Sequence, residues 1–391
     1  MKKKYYTFIL LLPTILINYV TLTILDIDHN LSLTSTLIVS LFNLINILFI
    51  ILLNKTNLKK VVIIFLGTII LFITFDFSYQ KYVKKNSYQI QDKKLGWILN
   101  KSIKKKFTAK SKKNRNYEID YNSSEKFGFR HYDNKKIFDK TILILGDSFT
   151  VGPYASNDQM YFSEIKRIFE KNNLNYNWYV MGSAGWGTLQ QYIHLKNNID
   201  HIKPDILVHQ FCHNDFYNNS IKIEENTYLR SQYIFRPFWV DKKIIYKNNL
   251  FHKLYKFLYT NSFVFKTIDN LITNKQYQKN KSYFKRNYSK EEYNEAINIT
   301  DLLIKKIKYL VGDKKLYFIV DCYNKENVIN KSFQKIFSEN KLFGLTKPLI
   351  ELKKAEEKGE DIFVFDGSHL NDIGNKIYGS EIGKEIIKII K

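Results

Sequence analysis

From Thr141 onward the chain alternates short apolar runs with segments of helical spacing. That alternation restricts the fold more than any other feature. Thr141–Leu145 is an apolar run that ends at a glycine. Tyr161–Lys171 puts Phe162, Ile165, Ile168 and Phe169 on one helical face. Trp178–Met181 is a brief strand, Thr188–Ile199 has helical spacing, and Asp205–Phe211 (DILVHQF) is again a strand. Ala296–Leu310 is helical, Leu316–Val320 (LYFIV) is a strand, and Ile373–Ile390 is a closing amphipathic helix. Apolar strands separated by helices imply βαβ units and a parallel sheet covered on both faces, hence an α/β fold. Between about Asn218 and Lys290 the alternation fails. This stretch is rich in Tyr, Phe, Asn and Lys and reads as an insertion that covers or shapes a cleft. Its Phe235–Trp239 segment (FRPFW) is either a substrate-facing aromatic patch or, more simply, packing.

The first eighty residues have a different character. Tyr5–Leu25 and Leu31–Leu53 are almost wholly apolar, and a shorter run extends from Val61 to about Phe77. Each is near the roughly 20 residues that a helix needs to cross a hydrocarbon core. Pro13, Asn18, Asn43 and Asn46 interrupt the runs, and neighbouring helices can satisfy such groups. No small-residue cleavage site follows the first run, so it is expected to be an anchor and not a removed signal peptide. Lys2–Lys4 precede the first run, Asp26 and Asp28 lie in the first loop, and Lys55, Lys59 and Lys60 lie in the second. The positive-inside rule then predicts a multi-pass anchor over residues 1–80, with everything after Tyr79 outside the cytoplasm. Should the third run only lie on the bilayer, the following domain faces the cytoplasm instead. Residues 81–140 are polar and basic, with hydrophobic anchors such as Leu95-Gly96-Trp97, and read as a linker and peripheral arm.

The formal net charge is +24 over 391 residues, with 45% apolar residues and two cysteines. The charge reads first as a bias spread over the chain, and more sharply as attraction to anionic lipid headgroups or acidic polymers. No basic helix, finger or RNA-binding motif points to nucleic acid. Cys212 and Cys322 each end an apolar run. Buried free thiols are the default expectation, and a disulfide is the alternative in an oxidising compartment. No CxxC or clustered His/Cys pattern suggests a metal, and no cofactor is expected.

Three strands end in residues that carry chemistry. The first runs ILILGDSFTVG from Ile142 to Gly152, the second ends near MGSAGWGT (Met181–Thr188), and the third ends at CHND (Cys212–Asp215). FDGSHLND, Phe365–Asp372, follows just before the last helix. In an open parallel sheet, ligands sit beyond the carboxyl ends of the strands. A serine there is either a helix N-cap or a nucleophile. As a nucleophile it needs a base, a histidine suits that role, and Asp366 can reach back three residues to orient His369.

Ser, Gly, Asn and Asp-x-x-His in this order resemble the SGNH/GDSL hydrolases, over about residues 141–391. Residues from Leu95 to Arg130 look like the arm that precedes this domain in membrane-attached bacterial members. The resemblance implies a flavodoxin-like three-layer fold and a catalytic set of Ser148, Asp366 and His369. It also implies an oxyanion hole from the Ser148 amide, the Gly185 amide and the Asn214 side chain. Gly185 is preferred to Gly182 and Gly187 as the block-two donor. Two departures stand out: His213 precedes Asn214 where the family often has glycine, and Val180 and Met181 occupy a region that often carries asparagine. Asp147 is expected to order the turn. The function implied is a membrane-anchored serine esterase that removes small acyl groups, acetyl above all, from an extracytoplasmic glycan. One alternative is a polysaccharide O-acetyltransferase working with a membrane partner that supplies the acyl group. Another is a non-catalytic glycan-binding module.

Overall fold

The computed structural model describes residues 58–133, 135–227, 229–280, 288–312, 314–323 and 331–391. The apolar runs Tyr5–Leu25 and Leu31–Leu53 lie outside these residues. The chain divides into two compact units.

The larger unit is built on a six-stranded sheet in the order β12-β11-β8-β6-β7-β5. Its strands are β5 (Phe129–Tyr132), β6 (Thr141–Gly146), β7 (Asn177–Gly182), β8 (Ile206–Phe211), β11 (Leu316–Asp321) and β12 (Phe343–Leu345). The remaining strands form two-stranded ribbons: β1 (Gln89–Asp92) with β2 (Gly96–Leu99), β3 (Lys104–Lys110) with β4 (Asn116–Asn122), and β9 (Phe238–Val240) with β10 (Lys243–Ile245). Neighbouring strands of the main sheet run parallel, except that β5 pairs antiparallel with β7 at the edge. The expectation of a purely parallel sheet is corrected there. The extra strand comes from the segment read as an arm, and its chain enters the sheet without a crossover helix.

Side-chain alternation explains the layers. Ile142, Ile144, Val208, Phe318 and Val320 face one side of the sheet, where Tyr161–Lys171, Lys347–Glu357 and Asp372–Ile390 cover them. Leu143, Leu145, Leu207, Tyr317 and Ile319 face the other side, against Thr188–Lys196, Asn214–Asn219, Lys290–Val311 and Lys331–Glu339. Fully burying each of these apolar side chains contributes about 1.5–3 kcal/mol, and a strand buried on both faces has no solvent side to mark with polar residues. The predicted helix Thr188–Ile199 breaks at Asn197–Asn198, and a short turn, Ile199–Ile202, continues it.

Cys212 and Cys322 follow β8 and β11 directly and form a disulfide across these paired strands, with Cα atoms 5.0 Å apart. The default of free thiols is therefore overturned. The parallel register that pairs Phe211 with Asp321 brings the next residue of each strand into bonding range.

The smaller unit contains α1 (Leu58–Lys85), α2 (Leu250–Asn261) and α3 (Phe263–Asn280). The predicted insertion therefore divides. Its flanks stay with the sheet, while residues 249–280 pack with the helix of the third apolar run. The Asp76 carboxylate accepts from the Val264 amide at 2.9 Å and caps the start of α3. Tyr79 meets Phe263 edge-on at 4.7 Å, and Phe77 lies 6.0 Å from Phe257. Among the residues whose side chains are described, no helix is long and apolar enough to cross a membrane. In α1 those side chains are Ile63 and everything from Leu66 onward.

One buried polar group gives the larger unit a pH response. His209 on β8 is fully buried, with Nε2 on Gln191 Oε1 and Nδ1 on the Tyr317 hydroxyl, both at 2.6 Å. The Gln191 oxygen can only accept, so Nε2 carries the proton and the ring is neutral. Burial lowers the His209 pKa to about 3. The unfolded chain gains this proton near pH 6.5, so the stabilisation is present above that pH and is lost as pH falls toward 3. Between pH 6.5 and 5 the urea-unfolding free energy of wild type should fall by about 1.6 kcal/mol more than that of His209→Gln, with the difference in slope approaching about 1.4 kcal/mol per pH unit toward pH 5. Equal slopes would show that the imidazole is not held neutral.

Candidate active site

Each motif sits where the sheet topology delivers it. β6 ends at Gly146, and Asp147 begins a single helical turn, Ser148–Val151. Asp147 Oδ1 accepts from the Phe149 amide at 3.0 Å, so Asp147 is the cap and Ser148 is the first helical residue. The serine hydroxyl is thus not used for capping. Burial pushes the Asp147 carboxyl up, against the Phe149 amide, His369 and the Asn214 side chain.

The last motif closes on this serine from the far end of the chain. Ser148 Oγ lies 2.9 Å from His369 Nε2, and His369 Nδ1 lies 2.6 Å from Asp366 Oδ2. Asp366 Oδ1 also accepts from the Ser368 and His369 amides at 2.8 and 3.0 Å. Burial works against an ionised Asp366, but the imidazole and the two amides outweigh it and hold the pKa at about 2. The carboxylate is therefore charged at neutral pH and fixes the Nδ1–H tautomer. Nε2 is left to accept the serine proton. The rings of Tyr154 and Phe149 lie against the imidazole, with centroids 4.2 and 4.8 Å away.

The segment carrying Asp366 and His369 is held by the arm. Phe365 N donates to Lys110 O and Lys112 N donates to Phe363 O, both at 3.0 Å, so the end of β3 pairs with the catalytic loop. Arg115 makes a two-point contact with Asp372 at the start of the last helix. Asn371 caps that helix through the Ile373 and Gly374 amides. His369 is fixed between these two supports.

Of the three glycines after β7, Gly182 donates its amide to Gly128 O at 3.1 Å, and Gly187 donates to Gln190 Oε1 at 3.2 Å. A Cβ on Gly182 would stand 2.2 Å from Gly146 O, so the ends of β6 and β7 approach as only glycine allows. Gly185 adopts φ +75°, a conformation that favours glycine. Its carbonyl is anchored by Arg236 Nη2 at 2.9 Å and Asn218 Nδ2 at 3.4 Å. Asn214 opens its helix, and its Nδ2 lies 3.4 Å from Asp147 Oδ2. That is a long contact, which a stronger acceptor can displace.

Sequence reasoning missed the groups that hold the Ser183–Gly185 turn. Trp97 Nε1 and Gln89 Nε2 both donate to Ala184 O at 2.8 Å, and Gln89 also donates to Ser183 Oγ. Arg236 is fully buried, donates to Gln190 Oε1 at 2.6 Å and lies over the Trp97 ring. The FRPFW segment is thus packing with a buried cation in it, and Leu95-Gly96-Trp97 braces the site. His213, in the position often glycine in the family, bonds the Tyr217 hydroxyl at 2.7 Å. Among the described residues no three His, Cys, Asp or Glu side chains form a group able to hold a metal ion.

The arrangement suits acyl transfer. A serine oxygen faces a base oriented by a carboxylate, and the three candidate donors follow the ends of β6, β7 and β8 in the chain.

No protein-family model matches the chain, and no curated protein matches it. Similar solved structures are esterases and lipases. A family 3 carbohydrate esterase from Clostridium thermocellum shares 16% identity, covering 64% of this chain and 96% of that one, at a TM-score of 0.36. An acetyl xylan esterase shares 12% identity over 63% and 99% of the chains, at 0.37. A lipase/acylhydrolase from Enterococcus faecalis shares 16% identity over 64% and 96%, at 0.36. Similarity this distant leaves the functional reading to the side-chain geometry.

Two substitutions test that geometry. Asp366→Asn should lower kcat by up to about 10⁴-fold, because the amide favours the wrong imidazole tautomer. Unchanged kcat on a chromogenic acetyl ester would remove Asp366 from the catalytic set. Asn214→Ala should lower kcat by roughly 10²–10³-fold with a smaller effect on KM, as for an oxyanion donor. A change confined to KM would instead mark Asn214 as a ground-state contact.

Proposed function

We propose that the protein is a serine esterase that removes small acyl groups, acetyl foremost, from an extracytoplasmic glycan while tethered to the cell membrane. The observation that carries the reading is the hydrogen-bonded chain from Ser148 through His369 to Asp366. Ser148 Oγ attacks the ester carbonyl as His369 Nε2 takes its proton. The oxyanion that forms is held by the Ser148 and Gly185 amides and the Asn214 side chain. Collapse expels the alcohol, which takes the proton from His369, and leaves an acyl-serine. Water then attacks with His369 again as base, and a carboxylic acid leaves.

Three features support the setting. The Cys212–Cys322 disulfide fits an oxidising compartment. The Tyr5–Leu25 and Leu31–Leu53 runs have the length of spans. On α1, Ile63, Leu66, Ile70, Leu71 and Phe75 are exposed, and water is a poor partner for them. The acetyl group follows from the resemblance of the four motifs to enzymes that act on small acyl esters.

The test is acetate release from the organism's own envelope glycans by the detergent-solubilised full chain. Wild type should release acetate and Ser148→Ala should not, and a fluorophosphonate probe should label only wild type. Acetate release by a folded Ser148→Ala protein would refute the assignment. A glycan that gains acetyl groups in the presence of a donor ester would move the reading to transferase.

A further inference from the structure

We infer that α2, the helix that opens residues 249–280 of the insertion, is an interfacial helix that lies in the headgroup region of an anionic bilayer beside α1. The inference rests on the membrane-tethered reading above, and assigns a lipid-binding surface to residues that reading leaves without a role.

α2 has two faces. Tyr255 and Tyr259 are buried, and Tyr255 packs against Phe265 of α3 at 5.4 Å. The opposite face carries Leu250, Phe251, Leu254 and Phe257, exposed by 84, 60, 54 and 53%. These are positions i, i+1, i+4 and i+7, one continuous apolar stripe. A stripe of large apolar side chains on a helix that is otherwise packed marks an interaction surface.

The position of α2 along α1 names the occupant. The apolar run of α1 ends at about Phe77 and gives way to Tyr79, Lys81, Tyr82, Lys84 and Lys85. That order, apolar then aromatic then lysine, is the pattern of a helix leaving a bilayer. The α2–α3 hairpin joins α1 at this level. Phe257 meets Phe77, Gln80 Nε2 donates to Thr260 O at 3.4 Å, and Asp76 caps α3. α2 is therefore held at the depth where an amphipathic helix meets headgroups, with its apolar stripe continuing the apolar surface of α1.

Charge complements the same surface. Asp76 and Asp269 are the acidic residues among the described residues of this unit, and both are buried. Its exposed charges include Lys81, Lys85, Arg230, Lys253 and Lys275. Positive charge around an apolar stripe favours anionic lipid.

The test uses the full chain, reconstituted in phosphatidylcholine vesicles with and without phosphatidylglycerol. Leu250→Cys and Leu254→Cys variants carry an environment-sensitive fluorophore, attached without reductant so that the native disulfide stays closed. The expected result has three parts: the chain resists alkaline extraction, the label emits to the blue, and shallow spin-labelled lipids quench it more than deep ones. Phosphatidylglycerol should strengthen that quenching. Iodide quenching equal to that of free dye, in a chain that resists extraction, would overturn the interfacial helix and leave the anchor standing. Shielding from both iodide and spin-labelled lipid would overturn it in favour of cover by residues 1–57 or a second copy. Release of the chain by alkaline extraction would defeat the anchor, and this inference with it.

Discussion

One hydrogen bond, between groups 221 residues apart, sets the requirements on the rest of the larger unit. Ser148 is fixed by the strand that precedes it, but His369 lies on a loop with no strand of its own in the main sheet. A loop left to itself samples many positions, and an error of about 1 Å in such a pair can cost 10²-fold in rate. The protein restrains the loop from two directions. The end of β3 pairs with residues 363–365, and the Asn371 cap with the Arg115–Asp372 contact fixes the helix that follows. The arm is thus part of what positions His369 against Ser148, because without its backbone pairing the His369 loop would lose one of its two supports.

The turn that follows β7 shows the same economy from different material. The Ser183–Gly185 turn exposes backbone polar groups in a buried setting, where each needs a partner. Trp97 and Gln89 supply donors from the β1–β2 ribbon, and Arg236 supplies one from the insertion. Burying a guanidinium is costly unless it is paired and fully hydrogen-bonded. Arg236 has Glu224 at 3.6 Å, Gln190, Gln232 and the Gly185 carbonyl around it. The arrangement is favourable only when the turn occupies this one conformation, so the cation ties the Gly185 backbone to the packing of the core.

What was legible in the sequence follows from these physical roles. Strands buried on both faces have to be continuously apolar, so β6, β7, β8 and β11 are visible as runs. The residues at their ends are visible because acyl transfer needs particular atoms. The arm was legible as an arm, but its strands were not, because they form two-stranded ribbons and an edge strand. β3 reads KKKFTAK, with Lys104, Lys106 and Lys110 on the solvent side and Lys105 half-buried beside Phe107, which resembles a basic linker until its partner is known. Arg236 was hidden in FRPFW because a buried cation and a surface cation share the same letter. The disulfide could not be read from two cysteines 110 residues apart, since the register of β8 against β11 decides it. The Lys331–Glu339 helix, β12 and the Lys347–Glu357 helix escaped notice because their apolar residues are spaced among many lysines and glutamates.

The smaller unit is assembled from distant parts of the chain. α1 precedes the sheet in the chain, while α2 and α3 arrive more than 160 residues later, as the Asp76–Val264 separation of 188 shows. The Asp76 carboxylate, buried in a helix whose neighbouring residues are apolar, is satisfied by the Val264 amide at the start of α3. A buried carboxylate without such a donor is costly, so α1 and α3 depend on each other. The helical unit and the larger unit are threaded through each other in sequence: the chain leaves the larger unit after Asn248, completes the helical unit, and returns. An ordinary tether can be lengthened or removed without consequence to the body it holds. Here α2 and α3 would lose their partner with α1, Phe263 its edge-on contact with Tyr79 and α3 its Asp76 cap, so the helix of the third apolar run is a structural component of the insertion as well.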